Sequence, residues 1–160
     1  MVLEQEDIQI MQELRKDSRQ SVRDIAQKTG LGNTTVHRKL NRLLKGGFIN
    51  KFTIQPNWKK IGRGTLAFIL ANMDYRGKKS LKLPPDITAD ALKRHPFVLD
   101  CTTITGSRDL ILKVRTKDNE ELHHFINYVR TFKDITKTET LIVLYETEEH
   151  DNIFDEPYFE

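Results

Sequence analysis

The sequence predicts an α+β fold in two parts, with helices in the first third of the chain and mixed strands and helices beyond it. Two observations carry this prediction. Up to residue 45, apolar residues recur every three or four positions, as on one face of an amphipathic helix. From residue 65, short strand-like runs alternate with helical segments. We therefore expect a helical domain at 1–55, a linker at 56–64, a mixed domain at 65–147 and an acidic tail at 148–160.

The first two predicted helices are defined by an apolar stripe and by their end signals. Residues 4–16 place isoleucine, methionine and leucine side chains on one face. Ser21 can cap a second helix, with Asp24 at the third helical position in an arrangement close to a capping box. Gly30 ends this helix, because glycine readily adopts the left-handed conformation that is common at helix ends.

The third predicted helix begins after Gly32. Val36, Leu40 and Leu43 form an apolar face directed at the first two helices. The turn at 29–32 is tight, and two short helices around such a turn make a helix-turn-helix. The opposite face of the third helix carries Thr34, Arg38, Asn41 and Lys45.

Two segments follow this domain. Residues 48–54 alternate apolar and polar side chains as a strand pair would, and they predict a small wing. Residues 56–64 contain a proline, two glycines and three basic residues without a clear period. This composition predicts a linker.

Beyond the linker, the predicted order is strand, helix, strand, strand, helix, strand. This is the order of the split βαβ, or ferredoxin-like, arrangement, in which two helices cover one face of an antiparallel four-stranded sheet. The predicted fold class is therefore α+β, a winged helix-turn-helix followed by a ferredoxin-like βαββαβ domain. We expect helices at 87–95 and after Asp118, and strands at 65–73, 97–105, 108–115 and 137–146.

The second face of this sheet also carries apolar side chains. In the first strand and in the last, both alternating sets of side chains are largely apolar. A sheet with one solvated face alternates more cleanly. We therefore predict that a second subunit covers this face.

The distribution of charge is more informative than the net charge of +3. No acidic residue occurs between Asp24 and Asp74, an interval that includes the third helix. A basic run alone is most often a solvated face. Within a helix-turn-helix, however, it predicts a positive field that attracts a polyanion such as DNA. The basic residues of the interval are Lys28, Arg38, Lys39, Arg42, Lys45, Lys51, Lys59, Lys60 and Arg63.

The third helix has the residue types that read a major groove. Arginine can bond guanine through two hydrogen bonds, asparagine can do so with adenine, and threonine can bond either edge or pack on the thymine methyl group. Bases are usually read by the N-terminal part of such a helix. The base-edge candidates are therefore Asn33, Thr34, Thr35, His37 and Arg38. Further along, Arg42 and Lys45 are expected to contact phosphates.

Other functional classes are weakly represented. The longest apolar run, at 66–71, is far shorter than the roughly 20 residues of a membrane helix, so we expect a cytoplasmic protein. The single Cys101 excludes an internal disulfide. The histidines show no metal-ligand or triad spacing. We predict no catalytic residue, metal or cofactor.

Several short motifs appear in an order that is specific in combination. They are Arg19-Gln20-Ser21, Asp24-Ile25-Ala26, Gly30-Leu31, Thr35-Val36-His37-Arg38, Gly47-Phe48-Ile49, Ile104-Thr105-Gly106, Asp109-Leu110-Ile111-Leu112 and Thr138-Glu139-Thr140. Through them the sequence resembles the Lrp/AsnC family of leucine-responsive and asparagine-related transcriptional regulators over about residues 3–147.

The resemblance implies a sequence-specific regulator that binds double-stranded, palindromic DNA. It implies a homodimer built through the ferredoxin-like domain, with assembly into tetramers or octamers. It also implies an amino acid or similar effector that binds between dimers near the loop at 105–109. The expected DNA-binding residues are Arg19, Ser21, Asn33, Thr34, Thr35, His37, Arg38, Asn41, Arg42 and Lys45. The expected effector-binding residues are Thr105, Gly106, Ser107, Arg108 and Asp109.

The loop at 105–109 has chemistry that suits an amino acid. Gly106 permits a close backbone approach, Asp109 can accept from an ammonium group, and Arg108 can meet a carboxylate. The alternative is a hairpin turn with two solvated charges.

The sequence departs from the family at three places. Gly32 stands where the family often has a serine that caps the recognition helix. The segment 76–86 replaces part of the usual first helix of the second domain, so the effector pocket can differ. The acidic tail is either a frayed terminus or a segment that docks on a neighbouring subunit.

Two other functions fit the same architecture. Related folds serve in siroheme decarboxylation, where histidines act on a tetrapyrrole. Here His37 lies in the presumed reading helix, His95 precedes a proline, and the adjacent His123 and His124 point about 100° apart on a helix. The second alternative is a ligand-sensing module that has lost DNA binding, and the acid-free basic interval argues against it.

Overall fold

The structure, a computed structural model, describes residues 2–74 and 87–146. The described residues form two units, and the division falls between Gln55 and Pro56. The unusual segment at 76–86 and the acidic tail at 148–160 lie outside the described residues.

The first unit contains three helices: α1 (Gln5–Lys16), α2 (Val22–Thr29) and α3 (Asn33–Lys45). These are the three helices that the apolar periodicity predicts. Their shared apolar faces make a small core, and each helix contributes two of its fully covered side chains. The buried residues are Ile10, Leu14, Ile25, Ala26, Val36 and Leu43.

The ends of the helices follow the predicted signals closely. Ser21 and Asp24 form a reciprocal capping box, in which the backbone N–H of each residue donates to the side chain of the other. Gly30 ends α2 in the left-handed conformation, with φ of 73°. Gly32 is the N-cap of α3 and provides no side-chain cap. A Cβ atom at Gly32 would meet only Thr35 Oγ1, at 3.9 Å, so a serine would fit there.

The predicted wing strands are not present between residues 46 and 64 of the structure. Phe48 and Ile49 donate their backbone N–H groups to the carbonyl of Leu43 and pack against the helical core. Phe52 and Ile54 are 48% and 79% exposed. The alternating pattern is therefore real, but a strand also needs a backbone partner, and the described part of this chain provides none.

The predicted linker at 56–64 packs against the second unit. The Arg115 guanidinium lies over the Trp58 ring at 5.2 Å from its centroid. Arg63 lies 4.7 Å from the centroid of Phe97 and forms an ion pair with Glu121 at 3.1 Å. The segment is thus fastened to the second unit, unlike the free linker that its composition predicts.

The second unit is a four-stranded antiparallel sheet with strand order β2-β3-β1-β4. The predicted order of strands and helices is confirmed. The last strand begins two residues earlier and ends four residues earlier than the sequence predicts. The elements are β1 (Thr65–Met73), α4 (Ile87–Lys93), β2 (Val98–Thr103), β3 (Leu110–Thr116), α5 (Asn119–Arg130) and β4 (Ile135–Ile142).

The two faces of the sheet differ. The face toward the helices is closed by α5, and its core includes Ala67, Ile69, Leu110, Leu112, Val114, Leu122, Phe125 and Val129. The opposite face alternates with it along each strand and carries Phe68 paired in register with Leu141 and Lys113. Leu141 is 49% exposed. The opposite face is therefore a mixture of apolar and charged side chains, in which Leu66 is buried while Phe68 and Lys113 are partly exposed in a single chain.

Candidate nucleic-acid interface and ligand loop

The outward face of α3 presents the predicted reading residues. Thr35 is half-buried, whereas the other base-edge candidates and Lys45 are exposed, and the first turn contains no acidic residue. Among the described residues, neither Arg38 nor Lys45 forms an ion pair. These two cations are therefore available to an external anion. The exposed residues are Asn33, Thr34, His37, Arg38, Asn41 and Lys45.

Two of these side chains are in contact with each other. The Nδ2 atom of Asn41 lies 3.3 Å from Nδ1 of His37, one helical turn earlier. An amide nitrogen is a donor, so the contact favours the imidazole tautomer with its hydrogen on Nε2. The pair would then present an N–H donor outward from the middle of the helix.

The inward face of α3 carries its other two cations. Lys39 is only 2% exposed, and its Nζ atom lies 2.6 Å from Glu4 Oε2 and 2.8 Å from Glu6 Oε2. Arg42 donates to Glu4 Oε1 at 2.9 Å and also to the fully buried Asp7. We call these five residues the α1–α3 ion cluster. It directs Arg42 toward α1, whereas the sequence predicts that Arg42 contacts phosphate.

The electrostatics of the α1–α3 ion cluster are mutually supporting. Hydrogen bonds from Lys39 and Arg42 lower the pKa of Glu4 to about 2. Burial alone would lower the pKa of Lys39, but hydrogen bonds to Glu4 and Glu6 and the charge of Asp7 outweigh it and raise that pKa. Glu4 and Lys39 are therefore both charged at neutral pH.

Arg19 and Ser21, the two predicted DNA-binding residues before α2, have different environments. Arg19 is exposed, and its backbone N–H donates to the Asp17 carboxylate at 2.9 Å. The Ser21 hydroxyl donates to Asp24 Oδ2 at 2.7 Å while it accepts the N–H of Asp24. The hydrogen bonds from Ser21 hold the pKa of Asp24 below its usual range. Ser21 is thus occupied by the helix cap, whereas the Arg19 side chain extends from the surface.

The loop at 105–109 is held by its own charged residues. Gly106 has φ of 131°, a conformation that favours glycine. Asp109 accepts the backbone N–H of Met73 at 2.8 Å. Arg108 donates to Glu139 and to the Asn72 amide oxygen. Arg108 is therefore ion paired and Asp109 is hydrogen-bonded within the fold, and the role of this loop in effector binding stays a prediction.

Glu139 is the partner that sequence reasoning missed at this loop. The hydrogen bond and positive charge of Arg108 lower the pKa of Glu139. Glu139 belongs to β4, which pairs with β1, while the loop precedes β3 on the other side of β1. Only the strand order brings them together, although the motif Thr138-Glu139-Thr140 does mark this position in the sequence.

The described histidines lie in three separate places, on α3, in an aromatic cluster and on α5, where the ring centroids of the adjacent His123 and His124 are 6.2 Å apart. His95 packs among aromatic rings, with its centroid 4.7 Å from that of Phe97 and 4.5 Å from that of Phe125. Burial and the nearby Arg63 lower the pKa of His95. His123 lies 3.1 Å from the Asn127 amide on the exposed side of α5. In residues 2–74 and 87–146, no group of three or more His, Cys, Asp and Glu side chains could hold a metal.

Two family profiles match the chain and together cover most of it. Residues 4–50 match a winged helix-turn-helix DNA-binding domain. Residues 67–153 match the Lrp/AsnC ligand-binding domain. The order of the two matches is the order of the two structural units.

Similar proteins have the same organisation. The transcriptional regulator FL11 of Pyrococcus furiosus is 35% identical over 143 residues, which cover 89% of this chain and 90% of that protein. LrpC of Bacillus subtilis has a TM-score of 0.81 at 25% identity, with coverage of 94% of this chain and 100% of that one. A regulator from Neisseria meningitidis, solved as a complex with L-methionine, has a TM-score of 0.84 at 20% identity, with coverage of 94% and 95%.

The helix-turn-helix, the sheet topology and these matches agree along nearly the whole chain. The chain belongs to the Lrp/AsnC family and is a DNA-binding transcriptional regulator.

Proposed function

We propose that this regulator reads its operator with the outward face of α3. Thr34, His37 and Arg38 contact base edges, with Asn33, Thr35 and Asn41 beside them. Lys45 and Arg19 contact the phosphate backbone. The observation that carries this assignment is the division of the cations of α3, because Arg38 and Lys45 are exposed while Lys39 and Arg42 are ion paired with α1. Direct readout needs donors that are free to meet the bases.

Arg42 and Ser21 have internal roles in this proposal. Arg42 holds α3 to α1, and Ser21 caps α2. Neither side chain needs to reach DNA to support binding. This assignment departs from the sequence prediction for both residues, and it rests on the contacts that the two side chains already make.

The proposed assembly is a homodimer that binds a palindromic site, with tetramers or octamers as further assemblies. The open face of the sheet supports it, because Phe68 and the half-exposed Leu141 lie in register on that face. Two paired recognition helices would then reach successive major grooves. Light scattering on the wild type and on Leu141→Asp tests this proposal. A buried charge should dissociate the dimer, and an unchanged mass for the variant would move the interface elsewhere.

The loop at 105–109 is proposed to bind an amino acid. The Neisseria protein supports this class of effector, since it was solved with L-methionine. The charges of Arg108 and Asp109 suit a carboxylate and an ammonium group. Arg108 is, however, paired with Glu139, so an incoming carboxylate must compete with that internal partner.

Selection of duplex DNA from a random pool tests the reading surface, and repetition with each amino acid tests the effector. The wild type should enrich a palindromic sequence, and an effector should change its enrichment or the size of the complex. Recovery of DNA without any shared sequence would refute specific reading. Enrichment that is identical with all amino acids would remove the effector proposal and leave the reading proposal standing.

We propose no catalytic activity for this chain. The similar proteins are transcriptional regulators, and the described histidines are separated into a recognition helix, an aromatic cluster and an exposed helix face. Within the described ranges, no helix has the length and apolar character needed to cross a membrane. A cytoplasmic location stays a prediction.

A further inference from the structure

The α1–α3 ion cluster places charge where a helix usually packs by apolar contact. Lys39 lies on the same stripe of α3 as Val36 and Leu43, and all three are almost fully buried. Lysine is rarely buried to this extent unless it is paired. Here its ammonium group contacts two carboxylates of α1 and lies 3.6 Å from a third, that of Asp7.

A buried ion cluster contributes little net free energy to the stability of a fold. Removal of charges from water costs free energy, and apolar residues of similar volume often serve equally well. The cluster is also imperfectly satisfied, since Asp7 Oδ1 and Arg42 Nε are buried without a hydrogen-bond partner. Hydrogen bonds nevertheless supply direction, which apolar contacts do not.

The geometry of the cluster is suited to fixing the rotation of α3 about its own axis relative to α1. Lys39 and Arg42 are three residues apart on α3, and Glu4 and Asp7 are three residues apart at the start of α1. Glu4 bonds both cations, and Arg42 bonds both Glu4 and Asp7. Two linked contacts one helical turn apart resist rotation of α3 about its own axis in a way that one contact cannot.

Rotation of α3 would redirect the residues that read DNA. Arg38 directly precedes Lys39, and Asn41 directly precedes Arg42. Neighbouring residues on a helix are separated by about 100°, so the angle set at Lys39 also sets the direction of Arg38. A side chain that reads a base edge tolerates little misdirection, because both bonds of a bidentate contact must form together.

We propose that the α1–α3 ion cluster orients the recognition helix, and that Glu4, Asp7 and Lys39 are positioning residues for sequence-specific DNA binding. The proposal rests on the assignment of α3 as the reading helix. The cluster acts through Arg38 and its neighbours and does not touch DNA. Its loss therefore lowers the preference for the operator more than it lowers general affinity for DNA.

The test compares Glu4→Gln with Glu13→Gln in the full-length protein. Each change removes one carboxylate, from the N-cap of α1 at Glu4 and from α1 itself at Glu13, but Glu13 pairs with Lys16 and Lys28 and not with α3. Affinity is measured for a duplex selected by the wild type and for a scrambled duplex of the same composition. Both variants should bind the scrambled duplex slightly more tightly, because each loses a negative charge.

The specificity ratio, which is the affinity for the selected duplex divided by that for the scrambled one, distinguishes the two variants. It should fall about tenfold for Glu4→Gln, comparable to one mismatched base pair, and stay unchanged for Glu13→Gln. Equal ratios for the two variants and the wild type would overturn the proposal. If the wild type itself does not discriminate between the duplexes, both the reading surface and the positioning role are wrong.

A triple variant separates orientation from stability. Asp7→Leu with Lys39→Met and Arg42→Met replaces the central ions with apolar side chains, and urea unfolding reports whether the fold is retained. A stable triple variant with a lowered specificity ratio supports positioning, and a stable one with the wild-type ratio refutes it. If the triple variant does not fold, the comparison of Glu4→Gln with Glu13→Gln decides the question, because Glu4 is half-exposed.

Discussion

The outward face of α3 and the loop at 105–109 are both rich in polar side chains, but they differ in how those side chains are used. Arg38 and Lys45 on α3 are exposed and form no ion pair with the described acids. Arg108 and Asp109 in the loop are each bonded to groups within the sheet. The first region is prepared for an external partner, whereas the second already has internal partners.

This difference indicates how each region responds to a ligand. DNA meets cations that have no carboxylate to give up, so its binding gains the full release of counterions. Under the proposed assignment, an amino acid at the loop would replace Glu139 at Arg108, and its apparent affinity would be reduced by the free energy of that internal pair. The replacement would also free Glu139 on β4, so that the proposed effector binding would change a contact within the sheet.

Arg108→Ala should have the largest effect, because it removes the proposed carboxylate contact. A hydrogen bond to a charged group is worth about 1.5–3 kcal/mol, so amino-acid affinity should fall by roughly ten- to a hundredfold. Calorimetric titration with the amino acid that binds the wild type measures this. Arg94→Ala, which removes an exposed cation from the same unit, is the matched control. Equal affinity for both variants would place the effector elsewhere.

Arg38→Ala should cost about 1–3 kcal/mol for the operator and relax the preference at one base position. Competition binding against operators with single base changes measures both quantities. Lys45→Ala is the control on the same helix, since loss of a phosphate contact weakens all sequences alike and lowers the salt slope by about one. An unchanged base preference for Arg38→Ala would remove Arg38 from the reading set.

The fold could be predicted largely because its signals are local. Ser21, Asp24 and Gly30 act on backbone groups within a few residues, so the ends of α2 follow from the sequence alone. The strands predicted at 48–54 are not formed in the structure, because a strand depends on distant residues. Phe52 and Ile54 alternate correctly, but strand formation depends on a partner that the described chain does not supply.

The candidate sites were harder to predict, because the decisive contacts are distant in sequence. The acid-free interval counts Lys39 and Arg42 among the cations available to DNA, although acids from residues 4–7 neutralise them. One feature of the sequence could have predicted the pairing of Lys39. Position 39 falls on the apolar stripe of α3, and a buried lysine on such a stripe requires a carboxylate as its partner.

Glu139→Gln should act in the direction opposite to Arg108→Ala. It keeps the shape of the side chain but removes the charge that competes for Arg108, so amino-acid affinity should rise by a few fold at most, because solvent screens this exposed pair. The ion pair with Arg108 lowers the pKa of Glu139. The competition of Glu139 for Arg108 is therefore complete above the ordinary pKa of 4.5 and is lost as pH falls through the lowered pKa. Wild-type affinity that equals that of the variant at pH 7 would mean that Glu139 does not compete.

Asn41→Ala should have the smallest effect, and it tests whether Asn41 fixes the His37 ring for DNA reading. A side-chain hydrogen bond between residues one turn apart on an exposed helix contributes about 0.2–0.5 kcal/mol. Without Asn41, the His37 ring is free to exchange its tautomers, and its Nε2 donor is present only part of the time. The variant should therefore lose about twofold in affinity at operators whose preferred base offers an acceptor to His37.

His37→Ala should remove the same preference entirely, so the two variants together should cost no more than His37→Ala alone. If their effects add, Asn41 reads DNA by itself, and the exposed face of α3 consists of independent contacts.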